Sequence, residues 1–326
     1  MRIIVTGGSG FIGSHVVEHL REAGHDVFIV DQNGHQNGQQ ARVDICDTKT
    51  LFPIFKEFEP EYVFHVAGVA DARDALSHPL KAVHVNVGGT ANVFEASRLC
   101  KVKRVILAST CWVANAMSSG ILDETAPFLA KGGGHVYTTT KIASEFLAND
   151  FYSLYGLPFT ILRYGIPYGP GMWSGLVLKN FLDRAFSGQP LTIFGDGSAS
   201  RRFVYVSDLA RAHVLALQDV AANQVYNLEG MRFVTVKELA QLVSKLVGEV
   251  EIIYQPEPTR VGEFQYFRKL LSNNKAQIEI GWQPETDLED GVRRTIDWYK
   301  RNVLSERPAN SEDDRDLETA QKDPAR

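Results

Sequence analysis

The chain has 326 residues, 44% of them hydrophobic and 22% charged, which excludes a disordered or collagen-like polymer and allows one large domain or two modest ones. Its formal net charge of -5 gives no basic footprint for nucleic acid, so any anionic ligand must be held by a few placed arginines. Three cysteines, Cys46, Cys100 and Cys111, show neither CxxC nor metal-ligand spacing and read as reduced thiols; a strand directly after Met1 and no bilayer-length apolar run predict a cytoplasmic protein without a membrane partner.

Residues 2–5 form a β-branched run stopped by glycines, which reads as a buried parallel strand. Residues 11–23 turn helical, with Ile12, Val16, Val17 and Leu20 on one face and Gly24 as the stop. A second strand at 27–30 ends at Asp31. The alternation continues with a strand at 41–45, a helix at 48–58 and a strand at 61–65. A helix at 81–100, a strand at 104–109, a helix at 136–155 and a strand at 159–163 follow. Such alternation predicts parallel βαβ units, hence an α/β chain with a Rossmann-like doubly wound sheet. After Arg163, Gly165, Pro167, Gly169, Pro170 and Gly171 crowd a loop that marks a change of layer. Helices at 177–187, 209–217 and 236–246 are separated by short strands. The expected organisation is a dinucleotide-binding domain over 1–165 with a return segment near 203–228, a mainly substrate-binding domain over 166–304, and a polar disordered tail over 305–326.

The turn after the first strand reads Thr6-Gly7-Gly8-Ser9-Gly10-Phe11-Ile12-Gly13. Gly7 suits a tight turn, Gly10 allows backbone to approach a pyrophosphate, and Gly13 allows close packing of helix on strand. Phe11 and Ile12 open the helix whose N-terminus would face the phosphates. The spacing is G-x-x-G-x-x-G, and any tight strand-to-helix connection could also use it. Asp31, at the end of the second strand, is placed to accept from both ribose hydroxyls and to repel a 2′-phosphate, which favours NAD over NADP. Asp44 and Ile45 read either as an adenine contact or as a surface turn. His65-Val66-Ala67-Gly68 ends a strand in small residues, so Ala67 is expected against the dinucleotide, while His65 receives no catalytic role.

Tyr137 and Lys141, four apart on a predicted helix, share a face. A free tyrosine, with a pKa of about 10, is a poor base at neutral pH. A neighbouring ammonium would favour the phenolate, which could then take a proton from an alcohol while a nicotinamide takes hydride. An ordinary amphipathic helix explains the pair in isolation. The hydroxyls of Ser109-Thr110, at the end of the preceding strand, add a way to hold the reacting oxygen.

With these residues the chain resembles the extended short-chain dehydrogenases/reductases, specifically the NAD-dependent nucleotide-sugar epimerases and dehydratases of UDP-glucose 4-epimerase type. The resemblance runs from Arg2 to about Tyr299. It implies Thr110, Tyr137 and Lys141 as catalytic residues and Asn86 as a helix asparagine beside the site. The segment from Leu191 to Asp208 matches the family's sugar-nucleotide segment, which implies Arg201 on the substrate diphosphate and Phe194 near its base. Arg260, before Val261-Gly262-Glu263, resembles the second diphosphate arginine; two guanidiniums suit a diphosphate. Homodimer formation is implied by resemblance alone.

The departures cluster where the sugar should sit. Relatives that dehydrate or decarboxylate commonly carry acidic residues after the catalytic Thr, whereas here Cys111-Trp112 follow, which argues against both reactions. Cys111 reads as a proton donor or a small buried residue. Arg163-Tyr164-Gly165-Ile166-Pro167-Tyr168-Gly169-Pro170 replaces the frequent Arg-Tyr-Phe-Asn-Val-Tyr-Gly-Pro, Ala114-Asn115 stands for Tyr-Gly, and the loop from Lys131 to His135 is unusual. The expected function is 4-epimerisation of a UDP-hexose through a 4-keto intermediate. An NAD(H)-dependent nucleotide-sugar dehydrogenase or 4-ketoreductase, a non-catalytic NAD-binding regulator and a small-alcohol oxidoreductase remain alternatives. No metal is expected.

Overall fold

The β-branched runs assemble into one seven-stranded, wholly parallel sheet in the computed structural model, which describes residues 1–34, 37–114, 120–128, 134–256 and 270–305. Its strands are β1 (Arg2–Thr6), β2 (Asp26–Asp31), β3 (Gln40–Arg42), β4 (Tyr62–His65), β5 (Arg104–Thr110), β7 (Phe159–Tyr164) and β11 (Gln224–Leu228), in the order β11-β7-β5-β4-β1-β2-β3. Ile3, Ile4 and Val5 are fully buried, each contributing about 1.5–3 kcal/mol by leaving water. The connecting helices include α1 (Phe11–Glu22), α2 (Thr48–Phe58), α3 (Ala72–Ser77), α4 (Pro79–Val83), α5 (Thr90–Leu99) and α6 (Val136–Tyr155). The order reverses between β1 and β4, and ligands in such folds bind outside the strand ends at that crevice.

Two local expectations are corrected. The third strand is shorter than 41–45, because the Asp44 side chain accepts from the Cys46 N–H at 2.8 Å and turns the chain. The helix expected over 81–100 begins at Pro79 and carries a π-turn at His84–Gly89. There the Asn86 carbonyl accepts from the hydroxyls of Thr90 and Ser144, so side chains take over part of the helical ladder.

Beyond β7 the chain builds smaller layers. A three-stranded sheet joins β8 (Ile166–Tyr168), β10 (Ser200–Tyr205) and β12 (Phe233–Thr235), and β9 (Leu191–Phe194) pairs in parallel with β13 (Ile252–Gln255). Helices α7 (Val177–Phe186), α9 (Val236–Val247) and α11 (Leu288–Tyr299) cover these strands around a separate core that includes Phe181, Ile193 and Tyr299. Helix α8 (Val206–Leu215) starts three residues earlier than the sequence pattern predicts and packs on α1. It leads into β11, whose Leu228 pairs with Tyr164 of the main sheet. A short pair of β6 (Ile121–Leu122) with β14 (Leu270–Leu271), followed by α10 (Asn274–Ile280), completes the described fold. Arg260, Asn115, residues 131–133 and the tail from 306 onward lie outside the described residues. No described helix is long and apolar enough to cross a membrane.

Candidate active site

The glycine turn is built as a close crossing of backbones. Gly7 has φ +75°, and a Cβ there would lie 2.6 Å from the Ala67 nitrogen. A Cβ on Gly13 would lie 2.0 Å from the Gly7 oxygen, so no side chain fits between helix and turn. Gly10 caps α1 without any side-chain hydrogen bond, and its own N–H donates to the Gly7 oxygen at 3.1 Å. The first turn of α1 carries no acidic residue, so its N–H groups and positive dipole end favour an anion.

Asp31 is buried at the end of β2. Its Oδ2 accepts from Ser9 N–H at 3.0 Å and its Oδ1 from Asn33 N–H at 2.9 Å. Each carboxylate oxygen has a further lone pair for a ribose hydroxyl. The cradle, the uncapped helix and the oriented carboxylate together fit a dinucleotide with a free 2′-hydroxyl. Ile45 is buried against Gly89, while Asp44 is exposed and holds its own turn. Asn86 Oδ1 accepts from Val69 N–H at 2.7 Å, and Nδ2 donates to the Val69 carbonyl and Thr140 Oγ1, each at 3.0 Å. Both amide hydrogens are thus committed to fixing the loop after β4 against α6.

Helix α6 starts at a cap formed by His135, whose Nδ1 accepts from Thr138 N–H at 3.1 Å. This start places Tyr137 and Lys141 on the face toward the end of β5. Thr110 is buried there, and with Tyr137 it lines one cavity. The ring of His135 lies between Trp112, at 5.4 Å, and Tyr137, at 5.9 Å, forming an aromatic wall. Ser109 instead donates to Glu145 Oε1 at 2.5 Å, as the alternation of side chains along a strand requires.

The electrostatics correct one sequence expectation. Tyr137 is half-buried overall, but enclosure of its phenol pushes it up to about 12, only partly offset by Thr110. Lys141 does not pull it down: its Nζ donates to the Ala108 carbonyl at 3.0 Å, and burial lowers the ammonium itself to about 8. The phenol is therefore neutral in the ligand-free chain. A cationic ring bound beside it would favour the phenolate.

His65 is a packed group, as expected. Thr90 donates its hydroxyl hydrogen to the Asn86 carbonyl at 2.6 Å, so its oxygen accepts from His65 Nε2–H at 2.9 Å. His65 Nδ1 then accepts from Thr6 at 2.7 Å, which fixes one neutral tautomer. Burial pushes this imidazole down to about 3.

A cavity of about 920 Å³ opens over these groups. It is lined by Ile12 from the dinucleotide turn, by Val66 after β4, by Thr110, Tyr137 and Lys141, and by Phe194 and Arg201 from the smaller layers. Phe194 is 45% exposed and lines this cavity. The cavity thus gathers the expected catalytic group with three of the four expected substrate residues, Thr110, Phe194 and Arg201. Trp112, read in the sequence as a departure after Thr110, lines it as well, as do Trp173, Arg73 and Arg184, which were not singled out in the sequence.

Two buried carboxylates were also missed. Glu145, one turn beyond Lys141, forms an ion pair with Arg163 at 2.7 Å. Its spacing from Tyr137 and Lys141 was the available signal. Glu229, after β11, is 6% exposed, and burial pushes its carboxyl up to about 7. Nothing local in the sequence marks it.

Residues 3–228 match the family model described as the NAD dependent epimerase/dehydratase family. The chain is 32% identical over 312 residues to a putative UDP-glucose 4-epimerase of Methanocaldococcus jannaschii, covering 92% of this chain and 99% of that protein. It is similar to the solved UDP-glucose 4-epimerase of Thermotoga maritima with UDP-glucose, with TM-score 0.83 and 32% identity over 92% of this chain and 99% of that one. The Thermus thermophilus UDP-glucose 4-epimerase in complex with NAD superposes with TM-score 0.80 at 31% identity, covering 93% of this chain and all of that one (100%).

Proposed function

Because the chain belongs to the NAD dependent epimerase/dehydratase family, we propose that it interconverts UDP-hexoses differing at C4. Support comes from the gathering of Thr110, Tyr137 and Lys141 with Phe194 and Arg201 around one cavity. The relatives bearing UDP-glucose 4-epimerase names agree with it.

The cradle of Gly7, Gly10 and Gly13, the first turn at Phe11 and Ile12, and Asp31 hold NAD, with Ala67 against its middle. Bound NAD supplies the hydride acceptor and a positive charge beside Tyr137. Thr110 holds the C4 hydroxyl, and the Tyr137 oxygen takes its proton. Lys141, fixed by the Ala108 carbonyl, keeps a cation beneath the dinucleotide. Arg201 neutralises the diphosphate and Phe194 stacks on the base, leaving the sugar free to turn and be reduced on its other face.

Purified protein incubated with UDP-, dTDP- and GDP-hexoses, hexuronic acids and N-acetylhexosamines without added NAD tests this. Interconversion of a UDP-sugar pair is expected. Turnover that appears only when NAD or NADH is supplied would instead identify a dehydrogenase or ketoreductase.

The proposal extends to a cytoplasmic homodimer. The described cysteines are free thiols. Phe146, Tyr152, Leu154 and Tyr155 of α6, with Leu99 of α5, expose apolar surface that a second copy would cover. Sedimentation is expected to give twice the mass of one chain; a monomer at micromolar concentration would exclude it.

A further inference from the structure

Arg73 lines the cavity but has no part in the reaction steps above. It sits near the start of α3 on the loop after β4, and α3 packs on α6, the helix that carries Tyr137 and Lys141. Strand β4 itself lies beside β5, which ends at Thr110. Phe194 and Arg201 come instead from β9 and β10, in the smaller layers at the nucleotide end. Arg184, a further arginine of the wall, donates from Nε to the Pro190 carbonyl at 2.6 Å, just ahead of β9. Arg73 is thus the arginine that reaches the cavity from the catalytic side.

Its side chain is held in one pose. Asp71, the N-cap of α3, accepts from Arg73 N–H at 2.8 Å, from Nη2 at 3.1 Å and from Nε at 3.4 Å. The guanidinium occupies the place of a side chain at Gly175: a Cβ there would stand 1.8 Å from Nη2 and 3.4 Å from Nη1. Gly175 also has φ +102°, a backbone open to glycine, so the crossing needs glycine on both counts. Gly175 N–H in turn donates to Asn180 Oδ1 at 3.1 Å, and Asn180 lines the cavity with its Nδ2 hydrogens left for a ligand. Asp71 takes Nε and one Nη2 hydrogen of Arg73, so the opposite edge of the fork has no acceptor among the described residues. The side chain is 61% exposed, so water satisfies that edge until a ligand displaces it. The neighbouring walls, Trp112, Ile166, Pro167 and Trp173, bring no charge.

We propose that Arg73 and Asn180, which meet at Gly175, hold a carboxylate at C5 of the sugar, so that the substrate is a UDP-hexuronic acid; this deepens the epimerase reading above and rests on it. C5 is bonded to C4. With the C4 hydroxyl on Thr110 and Tyr137, a C5 carboxylate stands beside the reacting carbon, on the catalytic side of the cavity, whereas an acetamido group at C2 lies across the ring. A neutral hydroxymethyl group there would strip water from the fork and return one ordinary hydrogen bond. A carboxylate returns two parallel charge-assisted bonds from the fork and accepts a third from Asn180 Nδ2. The apolar walls lower the local dielectric and strengthen the pairing. The sugar turns between the two hydride transfers, so the contact is made in one of its orientations and released in the other.

Steady-state kinetics and equilibrium binding of the NAD-loaded full chain test this with UDP-hexuronic acids, the matching UDP-hexoses and UDP alone. The wild type is expected to favour the acids by about 100-fold in kcat/KM. In Arg73→Met that preference should shrink to within about threefold, and Arg73→Lys, which keeps the charge without the fork, should recover part of it. The KM of one acid epimer should rise more than that of the other, a split that a merely structural arginine would not give. Asn180→Asp keeps the acceptor for Gly175 N–H and sets a like charge against the carboxylate, so it should cut the preference by about tenfold. UDP affinity should stay within about twofold in Arg73→Met. A fall in UDP affinity equal to that for the acids would put Arg73 on the diphosphate and overturn the proposal. A wild type that turns over the neutral hexoses at least as well as the acids also overturns it. Turnover of neither class would count against the epimerase reading, and binding then decides the subsite by itself. Acids bound about tenfold tighter than hexoses, with the difference lost in Arg73→Met, support it, and equal binding overturns it.

Discussion

Replacing Tyr137 with Phe is expected to slow turnover by about 10²–10⁴-fold while leaving the fold and NAD binding intact. The substitution removes one oxygen and keeps the ring that stacks against His135. The aromatic wall should survive, and the lost group is the hydroxyl that lines the cavity with Thr110. Steady-state kinetics with NAD titration by fluorescence checks both halves. A variant that retains more than about a tenth of wild-type turnover would show that another group takes the proton.

The second large effect concerns stability. Glu145→Ala is expected to destabilise the chain by about 3–5 kcal/mol, because it leaves the Arg163 guanidinium buried without its partner. The pair is 2.7 Å apart with side chains 7% and 2% exposed, and Ser109 also donates to the same carboxylate. Solvent does not screen it as it would a surface pair. Exchanging both members, as in Glu145→Leu with Arg163→Met, should cost far less than the sum of the single changes. Denaturant unfolding of wild type, the two single variants and the double variant completes the cycle, with Glu145→Ala measured alongside; a loss below about 1 kcal/mol in Glu145→Ala would contradict it. The same substitution should lower the Lys141 ammonium further below about 8, since Glu145 is the charge that holds it up.

The sheet was legible because its strands are short apolar runs buried on both faces, and α2 and α6 because their apolar spacing and flanking residues agree. The π-turn at His84–Gly89 was not legible, since its cause is the pair of hydroxyls on the Asn86 carbonyl, one of them from a distant helix. The dinucleotide cradle could be read locally from glycines and Asp31. The neutral state of Tyr137 could not, because it depends on enclosure by groups brought together only by the fold. Glu229 illustrates the same limit: its carboxyl stands beside Gly165 only once the two strands are in register.

The central claim is that one carbon is oxidised and then reduced without the reducing equivalent leaving the protein. The most direct measurement uses a UDP-hexose deuterated at C4, turned over without added NAD, with the epimeric product read by mass spectrometry and proton NMR. The account predicts an epimer that keeps its deuterium at C4. Deuterium exchanged for solvent hydrogen, or found only in externally supplied NADH, would contradict it.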